Sequence, residues 1–187
     1  MKSATDLHIV EYLKHLEDKR KALDEFLNNP SRDTLKKVFE SFWSFEAIVN
    51  KDMFLNRVLK KRVKPASIAQ RLKYLIDESK PLEERLTVKI HGFGTRAKTE
   101  VLNTVHPDRY PILNKRTLYV LSKVFNVSKE YTIKEYVEFT KMCEVLAEGF
   151  SYIREDYERL ISREIPKYAF LDFMLNSLYE RIKTKAV

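Results

Sequence analysis

An all-α fold, a compact bundle of about seven to nine short helices, is expected from three features of the sequence. Apolar residues recur at spacings of three and four through most of the 187 residues, the period at which one face of a helix repeats. No segment alternates apolar and polar residues with period two for a useful length, and "LTVKI" at 86 to 90 is the nearest approach to a strand. The breakers are few, three glycines and six prolines, and most of them fall between the periodic segments. Without an internal repeat or a low-complexity linker, the length suits one domain over residues 1 to 187.

The elements follow in order. In "DLHIVEYLKHLEDKRKALDEFL" the residues Leu7, Val10, Leu13, Leu16, Leu23 and Phe26 form one apolar stripe, which Asn28, Asn29 and Pro30 end. Ser31 is placed to cap a second helix, whose Leu35, Val38, Phe39, Phe42, Phe45 and Val49 share one side. "MFLNRVLKKRV" and "ASIAQRLKYLIDE" are shorter helices divided at Lys64 and Pro65, and Pro81 opens the segment after them. Asn114, Thr132 and Pro166 start helices over 115 to 125, 133 to 149 and 167 to 184, with a further short helix within "YIREDYERLIS".

Composition narrows the function. A hydrophobic content of 44%, with 10 tyrosines and 11 phenylalanines, is enough apolar surface to offset the chain entropy lost on folding. No apolar run approaches the roughly 18 to 20 residues that span a bilayer, and charges occupy the N-terminal stretch where a signal peptide is apolar. A soluble, cytoplasmic protein without membrane partners is expected. Cys143 is the only cysteine, which excludes an intrachain disulfide or a cysteine metal cluster; within "FTKMCEVLAEGF" it reads as a buried helical thiol. Lys and Arg outnumber Asp and Glu by 35 to 27, a net charge of +8, so an acidic partner is implied, nucleic acid first. His8, Glu11 and His15 share a helix face, yet the two histidines lie about 10 Å apart along the axis, too far to hold one metal ion. Neither a metal nor a cofactor is expected. The adjacent acids Glu83/Glu84 and Glu155/Asp156 point apart on a helix and form no catalytic couple.

The most informative stretch is "LTVKIHGFGTRAKTEVL", where Gly92 and Gly94 bracket Phe93 between helical segments. An apolar helix is expected to end at Ile90, with a tight turn after it and a new helix from Thr95 that turns Val101 and Leu102 inward. Glycine tolerates positive φ and lets the main chain approach a ligand without a Cβ in the way. The helix after it directs unsatisfied N–H groups and the positive end of its dipole to the same point, where a phosphate is stabilised.

This pattern resembles the helix-hairpin-helix DNA-binding motif, here over about 82 to 104. "HPDRYPILNKRTLYVL" extends the similarity toward the helix-hairpin-helix base-excision glycosylases, over some 40 residues in all. More loosely, "PDRYPILN" after a hairpin resembles the N-terminal DNA-recognition module of McrB-type restriction systems, in which a separate motor domain follows. The resemblance implies that Gly92, Phe93, Gly94, Thr95, Arg96 and Lys98 meet DNA, double-stranded first of all, and that Lys115 and Arg116 sit near its backbone.

The departures from the glycosylase pattern remove the chemistry. Where those enzymes carry an activating Asp, this chain has Asn114, an amide that neither takes a proton nor offers a full negative charge. Where bifunctional members place a nucleophilic lysine, two residues after the second glycine, stands Arg96, and a guanidinium has no amine with which to form a Schiff base. Lys98 is displaced by two positions, roughly 200° around a helix, and occupies a place where small residues are usual. No catalytic residue is assigned. The sequence also lacks the phosphate-binding loop of a motor, so a motor or nuclease would be a separate partner.

Other candidates extend the basic surface. "RVLKKRVKP" contributes Arg57, Lys60, Lys61, Arg62 and Lys64 as a second phosphate-contact strip, and Trp43, turned partly out of the helix core, is a possible base-stacking residue. His91 and His106 flank the hairpin. The expected function is a non-catalytic DNA-binding module, with recognition of modified or flipped bases for a restriction system as its extension; a repair glycosylase or lyase and a helical protein-interaction module are the competing readings.

Overall fold

The computed structural model describes residues 4–60, 63–127 and 131–185. Among them are ten α-helices and no strand, one helix more than the upper expectation. The chain divides into two compact units, residues 15–105 and residues 1–14 with 106–187. The first helix, α1 (Ala4–Asn28), contributes to both.

The unit of residues 15–105 holds the later part of α1, then α2 (Arg32–Ser41), a 3-10 turn (Trp43–Phe45), α3 (Lys51–Val58), α4 (Pro65–Ile76), α5 (Leu82–Thr87) and α6 (Thr95–Val105). Local chemistry explains the starts. Ser31 caps α2 as expected, its Oγ accepting from Thr34 N at 3.1 Å while Thr34 Oγ1 accepts from Ser31 N at 3.0 Å, a reciprocal satisfaction of two orphan donors. Asn50 Oδ1 accepts from Met53 N at the head of α3, and Pro65, lacking the N–H that a first turn leaves unsatisfied anyway, opens α4.

The second helix does not run to Val49. It stops at Ser41 because Phe42 turns extended, and the chain then makes the short 3-10 turn. That bend carries Phe42 and Phe45 into the core while leaving Val49 fully exposed. The core of this unit is aromatic: Phe39 lies 4.6 Å from Phe45, 5.1 Å from Phe54 and 5.7 Å from Phe93 between ring centroids, in tilted and edge-on arrangements favoured by the ring quadrupoles.

Helix α6 is buried from Ala97 to Thr104, polar residues included. Its Glu100 meets Lys19 of α1 at 3.1 Å, with side-chain exposures of 1% and 0%. Glu100 Oε1 also accepts the Trp43 N–H at 2.9 Å, and Oε2 accepts the Ser44 N–H at 2.8 Å and the Ser44 hydroxyl. The carboxylate therefore caps the 3-10 turn and neutralises Lys19 together. Lys19 Nζ stands 3.5 Å from the centroid of the Trp43 ring, and His15 stacks on the same indole at 4.8 Å. On the α1 stripe, Ile9 rather than Val10 is the buried residue, since Val10 is 41% exposed.

The other unit holds the start of α1 with α7 (Lys115–Val124), α8 (Tyr136–Gly149), α9 (Ser151–Ile161) and α10 (Lys167–Lys185). Ile9, Leu13, Ile165, Phe170 and Phe173 form its buried cluster, with Tyr12 and Tyr157 packed against it. Asn114 caps α7, accepting from Thr117 N at 2.9 Å. Cys143 is buried, and burial pushes its thiol well above the ordinary range, as suits an inert core residue. The α8 start lies at Tyr136, a few residues beyond the expected Thr132, and α9 ends on Ser162 in the left-handed conformation.

Two predictions follow from the Lys19–Glu100 centre. Lys19→Met leaves a carboxylate buried without its counter-charge and should destabilise the protein by about 3 to 5 kcal/mol, read by urea unfolding; adding Glu100→Gln should restore part of the loss, and equal stability of the single and double variants would contradict this. His15 is held below the ordinary histidine range, first by desolvation and then by the Lys19 charge, while the Glu100 and Asp18 carboxylates and a hydrogen bond to the Ser41 backbone pull the other way. Its native state thus prefers the neutral ring, so stability should be level above the unfolded value near 6.5 and fall as the pH drops below it. His15→Phe should flatten that decline in unfolding measured from pH 7.5 to about 5.

Candidate nucleic-acid interface

Helix α5 ends at Thr87, three residues before the expected Ile90, and α6 begins at Thr95 as expected. The intervening chain turns at 90 to 93, where Phe93 N donates to Ile90 O at 3.1 Å. Gly92 has φ +84°, a conformation that L side chains rarely adopt. A Cβ there would lie 2.9 Å from Val58 Cγ2 and 3.4 Å from Phe39 Cζ, so the close approach that Gly92 permits is to the protein's own core. Gly94 differs. A Cβ on it would meet nothing within 4 Å, and the residue is exposed at the head of α6.

This geometry sorts the expected contact residues. Phe93 is 3% exposed and its ring lies 5.5 Å from Phe45: the apolar residue between the glycines is a core plug, and its side chain does not reach a ligand. Lys98 is likewise turned inward. It is 9% exposed, and its Nζ donates to Leu86 O at 2.9 Å, satisfying a carbonyl that the C-terminus of α5 leaves without an intrahelical partner. Desolvation holds its ammonium below the ordinary lysine range. Gly94, Thr95 and Arg96 remain at the surface, with Lys89 and His91 exposed on the same loop.

Packing brings part of the basic run to this loop. Val58, which Gly92 faces, lies between Arg57 and Lys60 at the end of α3, and both of these are exposed. Lys61 and Arg62 lie outside the described residues. From α4, Arg71 Nη1 donates to Lys89 O, which ties a further exposed cation to the turn. Lys115 and Arg116 are exposed on α7, which belongs to the other unit.

Trp43 does not stand open for a base. The indole is half-buried, stacked with His15 and set against Lys19, which makes it a packing residue. Asn114 has a structural position too, because its Oδ1 caps α7 and its Nδ2 donates to Asp172 Oδ1 at 3.1 Å. Asp172 is 3% exposed and also accepts the Tyr12 hydroxyl at 2.7 Å and Asn176 Nδ2 at 3.0 Å. His106 sets its ring edge-on to Tyr110 at 5.9 Å.

Sequence reasoning passed over Lys89 and Arg71, although a signal for both was present. No Asp or Glu occurs from Met53 to Ile76, and none from Arg85 to Thr99. The Val58–Gly92 and Arg71–Lys89 contacts join these two acid-free stretches into one neighbourhood.

No family model matches the chain, and no curated protein or solved structure matches it either.

The two glycines should separate experimentally. Gly92→Ala forces an L side chain into a positive-φ turn and against Val58, and should cost about 1 to 3 kcal/mol. Gly94→Ala meets no neighbour and should cost less than about 1 kcal/mol, the difference between Gly and Ala at a helix head. Thermal unfolding of the two variants side by side checks this, and equal losses would contradict the assignment.

Proposed function

We propose that the protein is a non-catalytic DNA-binding module that holds a phosphate at the head of α6. The observation that carries this reading is the head of α6, where Gly94 and Arg96 are exposed and Thr95 is half-buried, with Lys89 and His91 exposed on the preceding turn and Arg57 and Lys60 exposed on either side of Val58, in a neighbourhood whose two contributing stretches contain no carboxylate. At a helix head the first backbone N–H groups lack intrahelical partners and the dipole favours negative charge. Gly94 leaves that point open on the side where any other residue carries a Cβ.

Arg96 adds a forked donor suited to phosphate oxygens. The surrounding lysines supply attraction that does not depend on sequence, as phosphate contacts do. A catalytic role has less support. Asn114 is committed at both ends of its amide to capping α7 and to Asp172, and Lys98 is committed to Leu86.

Arg96→Ala should weaken binding to unrelated duplexes to a similar degree and reduce the magnitude of the log K against log salt slope by roughly 1, as the loss of one phosphate contact does. Fluorescence titration over a salt series checks it, with circular dichroism confirming unchanged helicity. Identical slopes and affinities for wild type and variant would leave the hairpin as a packing turn and favour a protein-interaction module instead.

A further inference from the structure

The second unit carries a cationic surface of a different character, where basic side chains are interleaved with aromatic rings. On α7, Arg116, Tyr119 and Lys123 recur at spacings of three and four; on α10, Asn176, Tyr179 and Lys183 do the same, so each trio shares one helix face. Contacts join the two faces. Tyr119 and Tyr179 meet edge to face at 5.4 Å, and Arg116 and Lys183 stand 5.5 and 5.0 Å from the Tyr179 ring centroid. Arg116 Nη1 also approaches Asn176 Oδ1 at 3.4 Å and Glu180 Oε1 at 3.8 Å.

The charge around these rings is one-sided. No Asp or Glu occurs between Asp108 and Glu130, and after Asp172 the only acid is Glu180. Glu180 and Arg116 are 61% and 49% exposed at the side chain, an arrangement in which an ion pair contributes little and yields to a stronger anion. Both tyrosines are half-buried, so packing sets their positions while part of each residue stays at the surface.

We propose that this α7–α10 face binds a single-stranded segment of nucleic acid, with Tyr119 and Tyr179 stacking on unpaired bases and Arg116 and Lys183 holding the flanking phosphates. Cations on their own suit any polyanion. The rings select the unpaired strand, because bases inside a duplex already stack on one another and present no face, whereas a basic surface with aromatic platforms is the arrangement that holds single strands. Arg116 stands over the Tyr179 ring, and Lys183 both faces that ring and pairs with its hydroxyl; these side chains are exposed, and exposed contacts of this kind are weak enough for a phosphate to replace them. The proposal rests on the reading that the protein handles nucleic acid, but uses none of the residues of the hairpin.

The test titrates the full chain with labelled oligothymidylate of about twenty nucleotides, long enough to cover one such surface. Tyr119→Ala/Tyr179→Ala should lower affinity about ten-fold or more, the size of effect that losing base stacking produces. Tyr119→Phe/Tyr179→Phe keeps the rings and should bind within about two-fold of wild type. Arg116→Ala/Lys183→Ala, which removes exposed side chains, should reduce the salt-slope magnitude by about 1.4, as two single-strand phosphate contacts do. Wild-type affinity in the alanine pair, or a phenylalanine pair as weak as the alanine pair, would overturn the stacking assignment. Should the alanine pair misfold by circular dichroism, an unchanged salt slope in Arg116→Ala/Lys183→Ala overturns the proposal. Arg96→Ala with a duplex, measured in parallel, keeps the two readings apart: unchanged duplex binding with weakened oligothymidylate binding in the α7–α10 variants rejects the hairpin alone, and the reverse pattern rejects this surface alone.

Discussion

The Lys19–Glu100 ion pair is the constraint around which the unit of residues 15–105 is organised. Removing both charges from water costs several kcal/mol per ion unless geometry and further hydrogen bonds compensate. Glu100 obtains that compensation from the Trp43 N–H, the Ser44 N–H and the Ser44 hydroxyl, while Lys19 adds the face of the Trp43 ring. One carboxylate thereby ties α1, the 3-10 turn and α6 to a single arrangement. An apolar pair in its place would bury equally well but would not specify which turn of α1 faces which turn of α6. Since Arg96 lies in the first turn of α6, its placement depends on this pair, about 6 Å of helix rise away from it.

Buried cations recur in this unit with a common purpose. Lys98 donates to Leu86 O near the end of α5, and Arg85 Nη1 donates to Leu75 O near the end of α4 at 2.9 Å. Short helices leave a large share of their carbonyls outside intrahelical bonds. A long side chain that threads the core to reach such a carbonyl holds a short helix that propensity alone would not. Within this unit the cations differ in what they face. Lys19, Arg85 and Lys98 are spent on internal caps and the Glu100 partnership, whereas Arg57, Lys60, Arg71, Lys89 and Arg96 face solvent. Net charge by itself does not distinguish them.

The two glycines of the hairpin show why a motif match and a physical role need separate arguments. The pattern of glycine, apolar residue, glycine is satisfied, yet Gly92 is needed for its positive φ and its fit against Val58, Phe93 fills the aromatic core, and only Gly94 leaves space toward solvent. The turn is thus packed from within through two of its three residues.

Much of the fold was legible from sequence, because helix periodicity, caps and breakers are local. The Ser31 and Asn114 caps, the Pro65 opening and the α6 start at Thr95 all depend on residues within one turn of each other. The reading failed where a distant partner decided. Lys19 sits three residues after Leu16 and four before Leu23, on the apolar stripe itself, but its burial became intelligible only with Glu100, 81 residues away. Val49 continued the periodicity of α2, yet the chain bends at Phe42 because Glu100 caps the turn beyond it. Lys98 and Phe93 belonged to the motif, but tertiary packing turned both inward. By itself the sequence determined most of the helices, the starts at Ser31, Thr95 and Asn114 and the excess of positive charge, since those rest on neighbours and composition. Only the tertiary structure decided which cations face solvent and which glycine opens toward it, because burial is set by residues that meet across the chain.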